Sequence, residues 1–344
     1  MTLRAAAVLA VLLAGTLVMA PSISGAQSGG RARVLIVSGV AGEAQYADEY
    51  FKQATTMIDA LKTRFGVPDS DIVYLAENPT RDAARIKAAS TKENIERELT
   101  ALGARSKGGD VLFVMLIGHG SGDGTTSKFA IPGPDIAAND FARVLDGIPG
   151  PTIAFVNTSS ASGGFIAALS GPHRVIATAT KSDMERNETR FASYFVQAYA
   201  TDVADADKDG RVSVLEAFDY ARREVARAYE GENHLLTEHA QLDDNGDKKG
   251  AAVPDEKSGE GSLARRVFLG GRVGSVAAAA HAASNDPRVA ALEREKDSIE
   301  TKLDSLRRKK TSMDSTAYEK ALEGLLVQLA EKNKAIRDAT GGRP

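Results

Sequence analysis

The chain has 344 residues, 43% of them hydrophobic, enough for one large globular domain with appendages. Its 43 basic and 46 acidic residues leave a net charge of −3, which gives no electrostatic basis for binding nucleic acid. There is no cysteine, so disulfides and thiolate nucleophiles are both excluded.

Residues 1–26 read as a secretory signal. Arg4 supplies the positive charge, and Ala5 to Val18 form an apolar stretch too short for a comfortable membrane span. Pro21 breaks that stretch, and Ser24-Gly25-Ala26 offers the small residues a signal peptidase reads. Cleavage near Ala26 would give an exported protein, periplasmic or secreted; an uncleaved anchor is the alternative. No other segment is apolar for long enough to cross a bilayer, so no stable span is expected after signal removal.

Residues 31–200 alternate short β-branched runs with amphipathic stretches, the pattern of βαβ units. Val34 to Val37 reads as the first strand. Tyr46 to Phe65 follows as a helix with Phe51, Met57, Ile58 and Leu61 on its buried face. Asp71 to Leu75 is the second strand, and Thr91 is placed to cap the next helix. Val111 to Ile117, Thr152 to Val156 and Arg174 to Ala179 complete a set of five. Nearly continuous apolar strands predict a mostly parallel sheet covered by helices on both faces, a doubly wound α/β sandwich.

Residues 201–262 hold the strongest local motif. In Asp205-Ala206-Asp207-Lys208-Asp209-Gly210-Arg211-Val212-Ser213-Val214-Leu215-Glu216, every constrained position of an EF-hand loop is filled. Asp205, Asp207 and Asp209 occupy positions one, three and five, and Gly210 allows the turn at six. Arg211 offers its carbonyl at seven, Ser213 stands at nine, and Glu216 at twelve can give two oxygens to Ca2+. Apolar stripes on both sides (Phe191, Tyr194, Phe195 and Ala198; Leu215, Phe218, Ala221 and Val225) predict a helix-loop-helix. The plainer alternative is an acidic surface turn before a helix. Outside the cell calcium is abundant, so such a loop would serve as a structural clip rather than a switch. Asp243-Asp244-Asn245-Gly246-Asp247 is a weaker second cluster that lacks the distal Glu. His234 and His239, five apart, are poorly spaced for zinc on one helical face.

Residues 263–285 read as a linker. Residues 286–340 carry apolar residues at coiled-coil spacing: Val289, Leu292, Ile299, Leu303 and Leu306, then Leu322, Leu325, Leu329 and Ile336. The break near Lys309 to Ser315 predicts a C-terminal α-helical hairpin, docked on its own domain or used for self-association.

Two turns in the α/β region carry candidate chemistry. Gly118-His119-Gly120-Ser121-Gly122 follows the third strand, and Asn157-Thr158-Ser159-Ser160-Ala161-Ser162-Gly163-Gly164 follows the fourth. This layout resembles the legumain-like branch of the caspase and gingipain clan of cysteine peptidases. That branch has His-Gly after one strand and Ala-Cys-x-Ser-Gly after the next. The resemblance covers about Arg31 to Tyr199, half the chain, and puts Ser160 at the Cys position, with Thr158 and Ser159 where the clan has an acidic residue. It implies a caspase-like sandwich in which His119 would be the base, Ser160 the nucleophile and Gly120 an oxyanion donor. A serine hydroxyl, unlike a thiol, needs a base in hydrogen-bond contact that a third group orients. Asp123 and Asp183 are the candidate carboxylates by position, and Ser159 and Ser162 compete with Ser160. The leading expectation is a non-hydrolytic pseudopeptidase that binds a peptide or protein at the His119/Ser160 cleft. A serine-dependent endopeptidase is the alternative, and a calcium-stabilised scaffold the third reading.

Overall fold

The computed structural model describes residues 30–208, 210–255, 257–270 and 313–339, with scattered positions between 288 and 306. The signal reading of residues 1–26 therefore lies outside the described residues, as do Asp209 and most of the expected linker.

Ten strands and seven α-helices form among the described residues. In chain order they are β1 (Ala32–Ser38), α1 (Ala44–Thr63), β2 (Ile72–Ala76), β3 (Ile86–Ala89), α2 (Lys92–Arg105) and β4 (Val111–Ile117). Next come β5 (Gly120–Gly122), β6 (Ser127–Phe129), β7 (Ile136–Ala137), α3 (Ala138–Asp146) and β8 (Thr152–Asn157). The remainder are α4 (Gly164–Leu169), β9 (Arg174–Thr178), α5 (Phe191–Ala200), α6 (Val214–Gly231), β10 (Gln241–Asp243) and α7 (Ser315–Ala339).

Seven strands make one sheet in the order β10-β9-β8-β4-β1-β2-β3, parallel throughout except for β10, which runs antiparallel to β9. The strands are buried on both faces because each side is packed by helices. Val34 and Ile36 of β1 join a core that includes Met57 of α1, Phe195 of α5 and Phe218 of α6. Leu35 and Val37, pointing the other way, join Leu99 of α2, Phe141 of α3 and Phe165 of α4. The molecule is thus a mixed α/β protein of three layers with a mostly parallel sheet. The one charged residue inside β1, Arg33, is buried and compensated by Asp110 at 2.6 Å.

The sequence reading of five strands falls short by two in the main sheet, β3 and β10. It also misses a small antiparallel sheet, β5-β6-β7, that follows β4. Thr91 caps α2 as expected, accepting the N–H of Asn94. Residues 263–270 are no free linker: Ala264, Val267 and Leu269 are buried, and Phe268 bridges to Ser213. Between the two C-terminal segments, Lys332 of α7 forms an ion pair with Glu295. No helix among the described residues is long and apolar enough to cross a membrane.

Candidate functional site

Strand order reverses between β1 and β4: the chain moves from β1 outward to β3, then returns to β4 on the other side of β1. Such a switch opens a crevice at the carboxyl ends of the strands. His119 leaves β4 there, and Ser160 leaves the adjacent β8. The two turns are in contact. The Ser160 hydroxyl accepts the Gly120 N–H at 3.2 Å and donates to the Gly120 carbonyl at 3.3 Å. Gly120 has to be glycine for this approach, because a Cβ there would lie 2.1 Å from the Ser160 carbonyl oxygen. Its amide is engaged by Ser160 itself rather than standing free.

His119 makes its contacts with other groups. Its Nδ1 lies 2.9 Å from a Glu188 carboxylate oxygen, and its Nε2 lies 3.1 Å from the Ala41 carbonyl. Both partners are acceptors and favour the protonated ring, while the Tyr50 hydroxyl beside the two nitrogens can donate as well as accept. The Glu188 hydrogen bond accordingly holds the His119 pKa above its ordinary value, against the lowering effect of burial. Tyr50 on α1 completes the cluster, donating to Glu188 at 3.2 Å with its oxygen 3.2–3.3 Å from the imidazole nitrogens. Burial, reinforced by the Glu188 charge, pushes the Tyr50 phenol far up, so it stays protonated as a donor. Among the described residues, His119 and Ser160 share no hydrogen bond.

The other candidates are accounted for elsewhere. Ser159 donates to Asn157 at 2.7 Å, and Ser162 bonds to Thr180 at 3.1 Å, both fully buried. Asp123 closes its own turn on Thr125 and Thr126. Asp183 accepts the Gly124 N–H. The carboxylate that reaches His119 is Glu188, in the segment between β9 and α5. That segment has no hydrophobic period, and no sequence signal marks it. A cavity of about 300 Å3 opens beside His119, walled by Tyr50, Phe51, Tyr74, Glu77 and Arg81. The Arg81 guanidinium lies over the Phe51 ring at 4.4 Å.

A second cluster stands between α5 and α6. Carboxylate oxygens of Asp205, Asp207 and Glu216 all lie within 4.8 Å of one another. Gly210 turns the chain with φ +79°, and its N–H reaches Asp205 at 3.0 Å. Ser213 and Glu216 also form a capping box at the start of α6: Glu216 accepts the Ser213 N–H at 2.9 Å, while Ser213 caps the Glu216 N–H. The S-x-x-E spacing that signals a helix start is therefore realised by two residues read as ligands. Burial, then the Asp207 charge, pushes the Glu216 carboxyl up. Val212 is buried, and Val214 N–H donates to the Val267 carbonyl at 2.9 Å, so the loop edge pairs with residues 267–268. The Arg211 guanidinium sits over the Phe268 ring at 3.8 Å.

The cluster Asp243 to Asp247 is mainly a backbone anchor. Asp244 accepts the N–H groups of Gly261, Leu263 and Ala264, at 2.7–2.8 Å, and Glu260 returns the favour to Asp244 and Asn245. His239 is bonded to Glu185 at 2.6 Å, and His234 lies 3.3 Å from Glu232.

No protein-family profile matches the chain, and no curated protein matches it in sequence. Among solved structures, the crystal structure of drICE, a caspase, is similar with a TM-score of 0.34 at 12% identity, covering 58% of this chain and 85% of that one. So distant a likeness says nothing about chemistry, which has to be read from the site itself.

Proposed function

We propose that this is an exported, calcium-binding protein with a legumain- and caspase-like sandwich that binds a peptide or protein segment at the His119/Ser160 cleft without cleaving it. One observation carries the reading: His119 is bonded through both ring nitrogens to acceptors. With its ring nitrogens set against Glu188 and Ala41, His119 is not in hydrogen-bond contact with the Ser160 hydroxyl, and a serine without a base is a poor nucleophile. The Ser160 hydroxyl and the Gly120 amide satisfy each other, which leaves no preformed nucleophile and oxyanion donor.

The serine-dependent endopeptidase is the second reading, favoured by Glu188. A carboxylate on the imidazole is the orienting third group that such chemistry requires. Purified mature protein incubated with a broad peptide library separates the two, run beside Ser160→Ala and His119→Ala. We expect peptides to be retained and none cleaved at any calcium level. Cleavage by the parent that is lost in both variants would replace the binding reading with the enzyme.

Calcium belongs to the same proposal. The donor set fits a hard cation: carboxylates of Asp205, Asp207 and Glu216 converge, and Gly210 makes the required turn. Asp209, the Arg211 carbonyl and Ser213 would complete the shell. Convergent carboxylates repel one another without a positive charge between them, so Ca2+ would act as a clip that ties α5, α6 and residues 267–268 together. Self-association through residues 286–340 is proposed from the exposed Leu326 and Val327 on α7. Solution mass with and without those residues tests it.

A further inference from the structure

Ten residues, 181–190, cross the turn that carries Ser160, and polar contacts hold them there. The Ala161 N–H donates to the Glu185 carbonyl at 2.7 Å, and the Arg186 guanidinium donates to the Gly122 carbonyl at 2.8 Å. The Thr189 hydroxyl donates to the Thr158 carbonyl at 2.5 Å. Two imidazole–carboxylate pairs tie the segment at separate points, Glu185 with His239 and Glu188 with His119. The approach is close enough that a Cβ on Gly163 would fall 2.2 Å from the Ser182 nitrogen.

No apolar side chain anchors this segment. Met184, its one large hydrophobic residue, is 65% exposed, and Lys181, Arg186 and Asn187 are exposed as well. Beneath it, by contrast, Thr158, Ser159, Ser160 and Ala161 are all buried. A strap held by hydrogen bonds and ion pairs can be exchanged for another strand making the same contacts, because little apolar surface is uncovered in the exchange. Ala161 beneath it is held at φ +51°, a backbone region costly for a residue with a Cβ and one that clusters at ligand clamps.

We propose that Glu188 is an internal stand-in for a ligand carboxylate, and that the cleft takes an acidic peptide strand in place of residues 181–190. The incoming strand would set an Asp or Glu side chain on His119 and Tyr50. Its backbone carbonyl three residues earlier would accept the Ala161 N–H, as Glu185 does now. The exchange is neutral in charge: one carboxylate leaves His119 as another arrives. Glu43 and Glu49 act electrostatically on His119 and Tyr50, which limits the ligand to one carboxylate at this point. This rests on the peptide-binding reading above and specifies its ligand.

The probe is a labelled peptide with the sequence of residues 183–190, titrated in calcium into the full-length parent and into Glu188→Gln. The expected result is at least tenfold tighter binding to Glu188→Gln, because the internal competitor no longer bonds as a carboxylate. The same peptide carrying Gln at the position of Glu188 loses that gain. Glu185→Gln, which loosens the other tie and leaves the His119 cluster intact, also tightens binding and keeps the inference testable should Glu188→Gln misfold. A further readout is the His119 titration by NMR, in which a structural role alone predicts a fall in Glu188→Gln with no recovery on adding peptide. It falls in Glu188→Gln and is raised again by the acidic peptide only. Equal binding of the acidic and Gln peptides to parent and variants would overturn the inference. If basic or neutral library peptides bind while acidic ones gain nothing, peptide binding stands and this specificity falls. If no peptide binds any form, both fall.

Discussion

Glu216→Gln separates the helix cap that Glu216 forms from the calcium ligation proposed for it. In the metal-free protein the charge is a liability, since burial and Asp207 both push its pKa up. At the 4.8 Å that bounds the three carboxylates, a pair of like charges repels by about 1 kcal/mol in a water-like medium and about 3.5 kcal/mol at intermediate dielectric. Asp207 is exposed, so the lower figure applies. Gln retains the capping box, because its amide oxygen still accepts the Ser213 N–H. The lost repulsion of about 1 kcal/mol is offset by the Ala206 N–H, which loses its acceptor because Gln has a single oxygen, so variant and parent should match in chelator to within about 1 kcal/mol. If the proposed site binds, calcium at a hundredfold excess over its Kd would add about 2.7 kcal/mol to the parent, roughly 5–10 °C in Tm for a domain of this size. Glu216→Gln should lose most of that gain, so the two melting curves lie close together in chelator and separate in calcium. Scanning calorimetry in both conditions reads this directly. An equal loss of Tm in both would mean that Glu216 is only a helix cap, and no calcium shift in the parent would remove the metal site.

The remaining expectations concern the core and pH. Phe155 is fully buried, with ring centroids 5.1 Å from Phe141 and 6.0 Å from Phe165. Phe155→Ala should cost about 3–5 kcal/mol in denaturant melts, and a loss below about 1 kcal/mol would show that this face is not tightly packed. Burial pushes the Glu238 carboxyl up to about 7, although it accepts the N–H groups of Arg190 and Phe191 at the start of α5. A raised folded pKa means that the native state binds this proton more tightly than the unfolded chain. Its contribution is therefore full below the unfolded value of 4.5 and lost as pH rises through about 7, by about 3 kcal/mol. Glu238→Gln should flatten stability across that window in chelator, and an unchanged slope would contradict the assignment.

What could be read ahead of the structure follows from how much apolar surface each element buries. β1, β4 and β8 are wholly or almost wholly buried, and an uninterrupted apolar run can go nowhere else. β3 is Ile-Lys-Ala-Ala, β5 is Gly-Ser-Gly and β10 is Gln-Leu-Asp, so none has a pattern to detect. These strands exist because neighbouring backbone is left open at a sheet edge or beside the Gly120 turn. The same division runs through the candidate site. His119 and Ser160 sit at the carboxyl ends of adjacent strands because long apolar runs deliver them there. Glu188 and Tyr50, which contact His119, arrive from a polar crossing and from α1, which packs beside α5 on one face of the sheet. Asp244 is the opposite case: a residue of metal-ligand type whose oxygens are consumed by three backbone amides.

The pairing of the acidic loop with residues 267–268 carries the packed α/β unit past residue 262. A chain stopped at residue 262 would strip the Val267 carbonyl from Val214 and the Phe268 ring from Arg211. One stopped at residue 270 keeps both. Proteolytic trimming from the carboxyl end should consequently pause near residue 270, and calcium would lengthen that pause. The loop would thereby guard the seam between the sandwich and everything that follows it.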